Sequence, residues 1–176
     1  VYYGNDWVTP ATRVIHTLEF AGRGANTSLL DGGMLAWVKD GGAVTVAVPA
    51  TLQGTLTTLK LRKVIVDAEF VRSHLGQKGW AVVDGRNASF YDGLQSGQNM
   101  DRTPHRAGHI AGALSVPFTE ITDTDLRLKP APELEALFAK AGVKPGDTIM
   151  SYCHIGQQAT GMLFAARTLG HPVVLY

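Results

Sequence analysis

The 176 residues contain a single cysteine, Cys153, in "SYCHIGQQATG" (residues 151–161). A lone thiol is either a small apolar side chain in a core or a nucleophile, and its neighbours decide which. The preceding "TIMSY" reads as a central strand and the following "QQATGMLFAARTLG" as a helix, so "CHIG" is the turn from strand end to helix start. Backbone N–H groups converge in such a turn, and the helix dipole adds positive potential, so a thiolate is stabilised there. Gly156 lets the backbone curl where a side chain would collide. A core cysteine needs none of this polar, glycine-bearing loop, so the context favours a reactive thiol.

Two chemistries use such a cradle. A cysteine phosphatase needs an arginine six positions after the nucleophile to bind phosphate oxygens as a fork. That position is Ala159, which argues against phosphate-ester chemistry. The other is attack on sulfur, in which a thiolate accepts a sulfane sulfur as a persulfide and passes it on. One cysteine suffices for that cycle.

Asp84 and Arg86 close a predicted strand on the sheet edge where Cys153 should lie, either as an ion pair supporting the loop or as a substrate contact. Arg106, and with less reason Arg102, could add positive charge from the long loop "YDGLQSGQNMDRTPHRAGHI". His105 and His109 are four apart, but Gly108 disfavours a helix and no third ligand is evident, so no metal site is expected. "AGRGAN" lacks the third glycine of a dinucleotide loop.

These residues need a scaffold, and the hydrophobic pattern supplies one. Strands are expected over residues 1–3, 27–30, 80–84, 113–116, 147–152 and 172–176, and helices over 10–21, 33–40, 68–75, 132–141 and 157–169. The alternation predicts an α/β fold with a mostly parallel twisted sheet and helices on both faces. "VYYGNDWVTPATRVIHTLEFAG" and "SYCHIGQQATGMLFAARTLG" both read strand, polar loop, helix, glycine, which marks a repeat with a thiol in the second copy alone. Residues 1–43 then form one partial unit, the threonine-rich segment 44–60 a connector, and 61–176 a nearly complete unit. The first unit lacks its beginning and the second its end. A chain stopping at Tyr176 would leave an exposed apolar strand edge.

With 16 basic and 15 acidic residues, charge selects neither nucleic acid nor membrane as a partner. No apolar run approaches the ~20 residues that span a bilayer.

Taken in order, "LLDGGMLAWVKDGG" (29–42), "VVDGR" (82–86), "AGHIAGALSVPF" (107–118) and "SYCHIGQQAT" (151–160) resemble the rhodanese family, specifically its tandem-domain sulfurtransferases of the thiosulfate or 3-mercaptopyruvate type. The resemblance implies an inactive first domain and a catalytic second one, with no metal or organic cofactor. Cys153 would be the persulfide-forming nucleophile, and His154, Ile155, Gly156, Gln157 and Gln158 its active-site loop. The partners would be a small-molecule sulfur donor and a thiophilic acceptor, in a cytosolic, periplasmic or organellar setting, the cytoplasm being preferred. Asp84 and Arg86 would lie beneath or beside the loop. Phe90 occupies the place where two-domain members often carry an anion-binding arginine, which keeps open a second reading as a non-catalytic binding or regulatory module. "HIGQQ" matches neither the basic loop of thiosulfate users nor the small polar loop of mercaptopyruvate users, although a partly cationic His154 could assist a dianionic donor.

Overall fold

The computed structural model describes residues 8–55, 57–98 and 101–176. The elements run α1 (Thr9–Phe20), α2 (Gly33–Lys39), α3 (Ala68–His74), β1 (Trp80–Asp84), α4 (Ala88–Tyr91), β2 (Leu114–Ser115), α5 (Ala131–Ala141), β3 (Thr148–Tyr152), α6 (Gln157–Thr168) and β4 (Val173–Leu175). The strands pair in the order β2-β1-β3-β4, all parallel, with Asp84 in register with Tyr152. Parallel neighbours require crossovers, which bury both faces of the sheet. In "WAVVD" and "TIMSY", alternate residues therefore serve different cores. Ala81, Val83 and Ile149 pack with Leu134 and Phe138 of α5 and Met162 and Leu163 of α6. Val82, Met150 and Tyr152 point the other way, onto Val71 of α3.

Helix ends follow local chemistry. Asp67 caps α3 by accepting the Phe70 N–H at 2.9 Å. Gly142 stops α5 at φ 104°, with the Val143 N–H returning to the Phe138 carbonyl. Helix α6 is buried on nearly every side, from Ala159 to Ala166, because the sheet lies under it and α1 over it. Where α1 crosses α6, Thr12 Oγ1 and Thr160 Oγ1 lie 3.3 Å apart, and the Thr9 methyl fills the space a Cβ on Gly161 would need. The "AT" pairs at 11–12 and 159–160, equivalent in the two helices compared above, thus meet at the crossing. Glu19 of α1 adds ion pairs to Arg167 of α6 and to Arg62.

Two expectations are corrected. Residues 27–30 form no strand, because their bonding goes into local turns: Thr27 Oγ1 donates to the Gly24 carbonyl and the Leu30 carbonyl accepts from Gly33 N–H. A strand needs a neighbouring ladder, and none reaches them among the described residues. The outer edge of β4 is not bare, because Val66 N–H donates to the Leu175 carbonyl and Leu175 N–H to the Val64 carbonyl, with Ile65 bridged to Leu175. The expected strand 1–3 lies outside the described residues. Segment 44–60 carries neither helix nor strand where described and is exposed there. No helix among the described residues is long and apolar enough to cross a membrane.

His16, on α1, is 4% exposed, and its Nε2 has no hydrogen-bond partner among the described residues. Burial pushes its pKa below the ordinary value, helped by Arg167 and Arg13 and opposed by the Val64 carbonyl and Glu19. In the unfolded chain imidazole takes up a proton below about pH 6.5, whereas the native ring resists it, so the unfolded state binds more protons as pH falls. Stability is therefore complete above about pH 6.5 and declines below it. Urea midpoints measured between pH 7.5 and 5.5 should fall, and His16→Asn should flatten that slope.

Candidate active site

Strand β3 ends at Tyr152, and the next residue, Cys153, stands half-buried beside the start of α6. Gly156 caps α6 in the left-handed region at φ 74°, and no side chain bonds the helix's first N–H groups. The helix start thus leaves unspent backbone donors and the positive end of a 12-residue helix next to the loop that begins at Cys153, whose side chain packs against the core cluster that includes Ala159 and Met162. Ile155 is 72% exposed at the rim, and Gln157 and Gln158 are half-buried.

Beneath the loop lies a buried ion pair. Asp84 is 0% exposed and Arg86 5% exposed. Asp84 accepts from Arg86 N–H at 2.9 Å, from Nε at 2.9 and 3.1 Å and from Nη2 at 2.6 Å. The pair holds the Arg86 guanidinium protonated well above its ordinary range. The remaining contacts of that group run outward: Nη2 donates to the Gly108 carbonyl at 2.7 Å and Nη1 lies 3.1 Å from Nε2 of His154. Because the guanidinium can only donate, His154 Nε2 is the acceptor and the ring proton sits on Nδ1. Of the two arrangements open for Arg86, the structure shows the ion pair with Asp84 and a bond to His154. Its plane also lies over Phe90, 5.8 Å from the ring centroid, and Tyr152, 5.7 Å away.

His154 is walled by Phe90, edge-on at 4.9 Å, and by His105 at 5.0 Å. Burial lowers the His154 pKa, as do Arg86 and His105, against a smaller pull from Asp84. The ring is neutral at neutral pH, so the expected cationic assistance to a dianionic donor is withdrawn. His105 arrives because its loop doubles back, its N–H donating to the Gly97 carbonyl at 2.8 Å. A Cβ at Gly97 would lie 2.7 Å from His105 Nδ1 and 3.0 Å from His154 Nε2. Spacing did not reveal this neighbour, since nothing local in the sequence says where a long loop returns. Phe90, noted as a missing arginine, is an aromatic wall instead.

Other expected residues stand apart. Arg106 is exposed, with no hydrogen bond or ion pair to it among the described residues. Arg102 is exposed and left-handed at φ 66°. His109 stacks on Tyr91 at 3.7 Å, with Nδ1 bonded to the Tyr91 carbonyl, and does not converge with His105 on a cation. Ala159 is fully buried, its backbone so near Gly85 that a Cβ there would sit 3.1 Å from the Ala159 Cα. An arginine at 159 has no room within this packing.

Residues 67–176 match the sequence model of the rhodanese-like domain. The chain belongs to the rhodanese family. Over 164 residues it is 30% identical to a probable 3-mercaptopyruvate sulfurtransferase of Pseudomonas aeruginosa, covering 93% of this chain and 56% of that protein. It is 28% identical to a thiosulfate sulfurtransferase of the same organism, covering 97% and 59%. The crystal structure of SseA from Escherichia coli, a 3-mercaptopyruvate sulfotransferase, superposes with a TM-score of 0.75 at 28% identity, over 94% of this chain and 60% of that one. The chain thus spans a little over half the length of these relatives, and it carries the rhodanese fold, an α/β parallel sheet with helices on both faces.

Removing Arg86 from this rhodanese site leaves the fully buried Asp84 charge unpaired. Arg86→Ala should destabilise the protein by about 3–5 kcal/mol in urea unfolding. Arg86→Lys should recover little, because an ammonium cannot reproduce the fork that joins Asp84, Gly108 and His154.

Proposed function

We propose that the protein is a sulfurtransferase that carries sulfane sulfur on Cys153. The reading rests on one observation above all: the sole thiol follows the end of a central parallel strand, in the short loop before a helix start that no side chain caps. Relatives named for thiosulfate and 3-mercaptopyruvate support the donor class. The Cys153 thiolate attacks the outer sulfur of thiosulfate, the S–S bond breaks, and sulfite leaves with its electron pair. With 3-mercaptopyruvate the C–S bond breaks, and the thiol proton ends on the carbon of departing pyruvate. Either route leaves a Cys153 persulfide, whose outer sulfur passes to cyanide or another thiophile and restores the thiolate. Loop N–H groups carry the sulfur anion in both halves of the cycle. Gln157, Gln158 and Ile155 line the approach, while Asp84, Arg86 and neutral His154 keep the loop in place.

In the same proposal, residues 1–43 are the closing part of a preceding, thiol-free rhodanese unit, 44–60 the connector and 61–176 the catalytic unit. The pairing of α1 with α6 supports that division.

Intact-mass measurement after treatment with thiosulfate or 3-mercaptopyruvate should show one added sulfur atom, absent in Cys153→Ser, and cyanide should remove it as thiocyanate. No adduct with either donor would overturn the reading. An adduct that cyanide cannot discharge would instead favour a binding module that does not turn over.

A further inference from the structure

We propose that Arg13, on α1 and 140 positions before the thiol in the chain, is a positioning residue that sets the reactivity of Cys153. The proposal rests on the sulfurtransferase reading for its purpose, though not for its test. Two observations meet at this residue. Arg13 Nη1 donates to the carbonyl of Ile155 at 3.2 Å, across from α1 to the middle of the active-site loop. The same nitrogen occupies the space that a side chain on Gly156 would fill, since a Cβ built there collides with it. The glycine that caps α6 is thus also the opening through which the guanidinium reaches the loop.

The consequence follows from the peptide plane. Carbonyl and N–H of a trans peptide point in opposite directions, and no cis bond occurs among the described residues. Anchoring the Ile155 oxygen on α1 turns the Gly156 N–H to the opposite side of that peptide, away from Arg13. A loop that stabilises a thiolate with N–H groups must hold its carbonyls outward, because an inward carbonyl would repel the charge. Arg86 fixes the loop from below through the His154 side chain, and Arg13 fixes it from outside through the backbone. No other side chain bonds a loop carbonyl among the described residues from Cys153 to Gly156.

Cys153 is the sole thiol, so alkylation reports on it without ambiguity. Iodoacetamide alkylation rates of the full chain, followed against pH, should give a slower profile in Arg13→Ala, with a rate at pH 7 lower by about three- to tenfold. Arg13→Lys should restore most of it, because one carbonyl oxygen needs only one donor. Thr12→Val, which removes a hydroxyl from the α1–α6 seam and leaves Arg13 in place, should lower the thermal midpoint while leaving the alkylation profile unchanged. An Arg13→Ala profile that superposes on the wild type would overturn the proposal. So would an equal shift in Thr12→Val, which would assign the effect to seating of α1 as a whole. Because alkylation requires no sulfur donor, these outcomes are read even if neither thiosulfate nor 3-mercaptopyruvate loads the protein.

Discussion

A carboxylate with no exposed surface at the end of β1 is the constraint around which the site is arranged. Its oxygens are satisfied by Arg86, which encloses Asp84 with the backbone N–H, Nε and Nη2. Satisfying the carboxylate fixes the guanidinium plane, and that plane decides what else can be held. One end takes the Gly108 carbonyl and so anchors the return of the long loop, while the other takes His154 and so anchors the residue after the thiol. Strand end, long loop and cysteine loop are thereby tied to one ion. The same commitment spends Arg86 Nε and Nη2 on Asp84 and Gly108, whereas no side chain caps the N–H groups at the start of α6.

Much of the scaffold was legible because its signals are local. "WAVVD" and "TIMSY" alternate between two cores as parallel strands buried on both sides must, and Gly142 stops its helix in the left-handed region that glycine favours. Residues 27–30 misled because aliphatic and β-branched side chains announce a strand without announcing a partner. Helix α4 is four residues long, too short to display a period. The place of Cys153 between strand and helix was legible from element order alone, and that of Asp84 and Arg86 from the strand end. Partners that arrive from elsewhere were not. His105 reaches His154 by a loop reversal, and Arg13 reaches Ile155 only because α1 lies across α6. Both facts are tertiary, and neither leaves a mark in spacing.

The α1–α6 crossing shows how small residues serve function at a distance. Close approach of the two helices requires Gly161 opposite Thr9 and threonines that bond one another instead of water. That approach brings the Arg13 side chain within reach of the loop. Side-chain size at this seam therefore governs which groups can reach the loop that follows the thiol.

The three residues along the outer side of β4 have a mechanical meaning. Val64, Ile65 and Val66 join the exposed segment 44–60 to Leu175, whose strand is bonded directly to the strand that ends at the cysteine. Tension on that segment would be borne by the Arg62 contacts to Phe20 and Glu19 of α1 and then by two rows of sheet hydrogen bonds. The sheet edge is in this sense a tether, and anything that pulls on segment 44–60 acts through two strands on the loop that begins at Cys153.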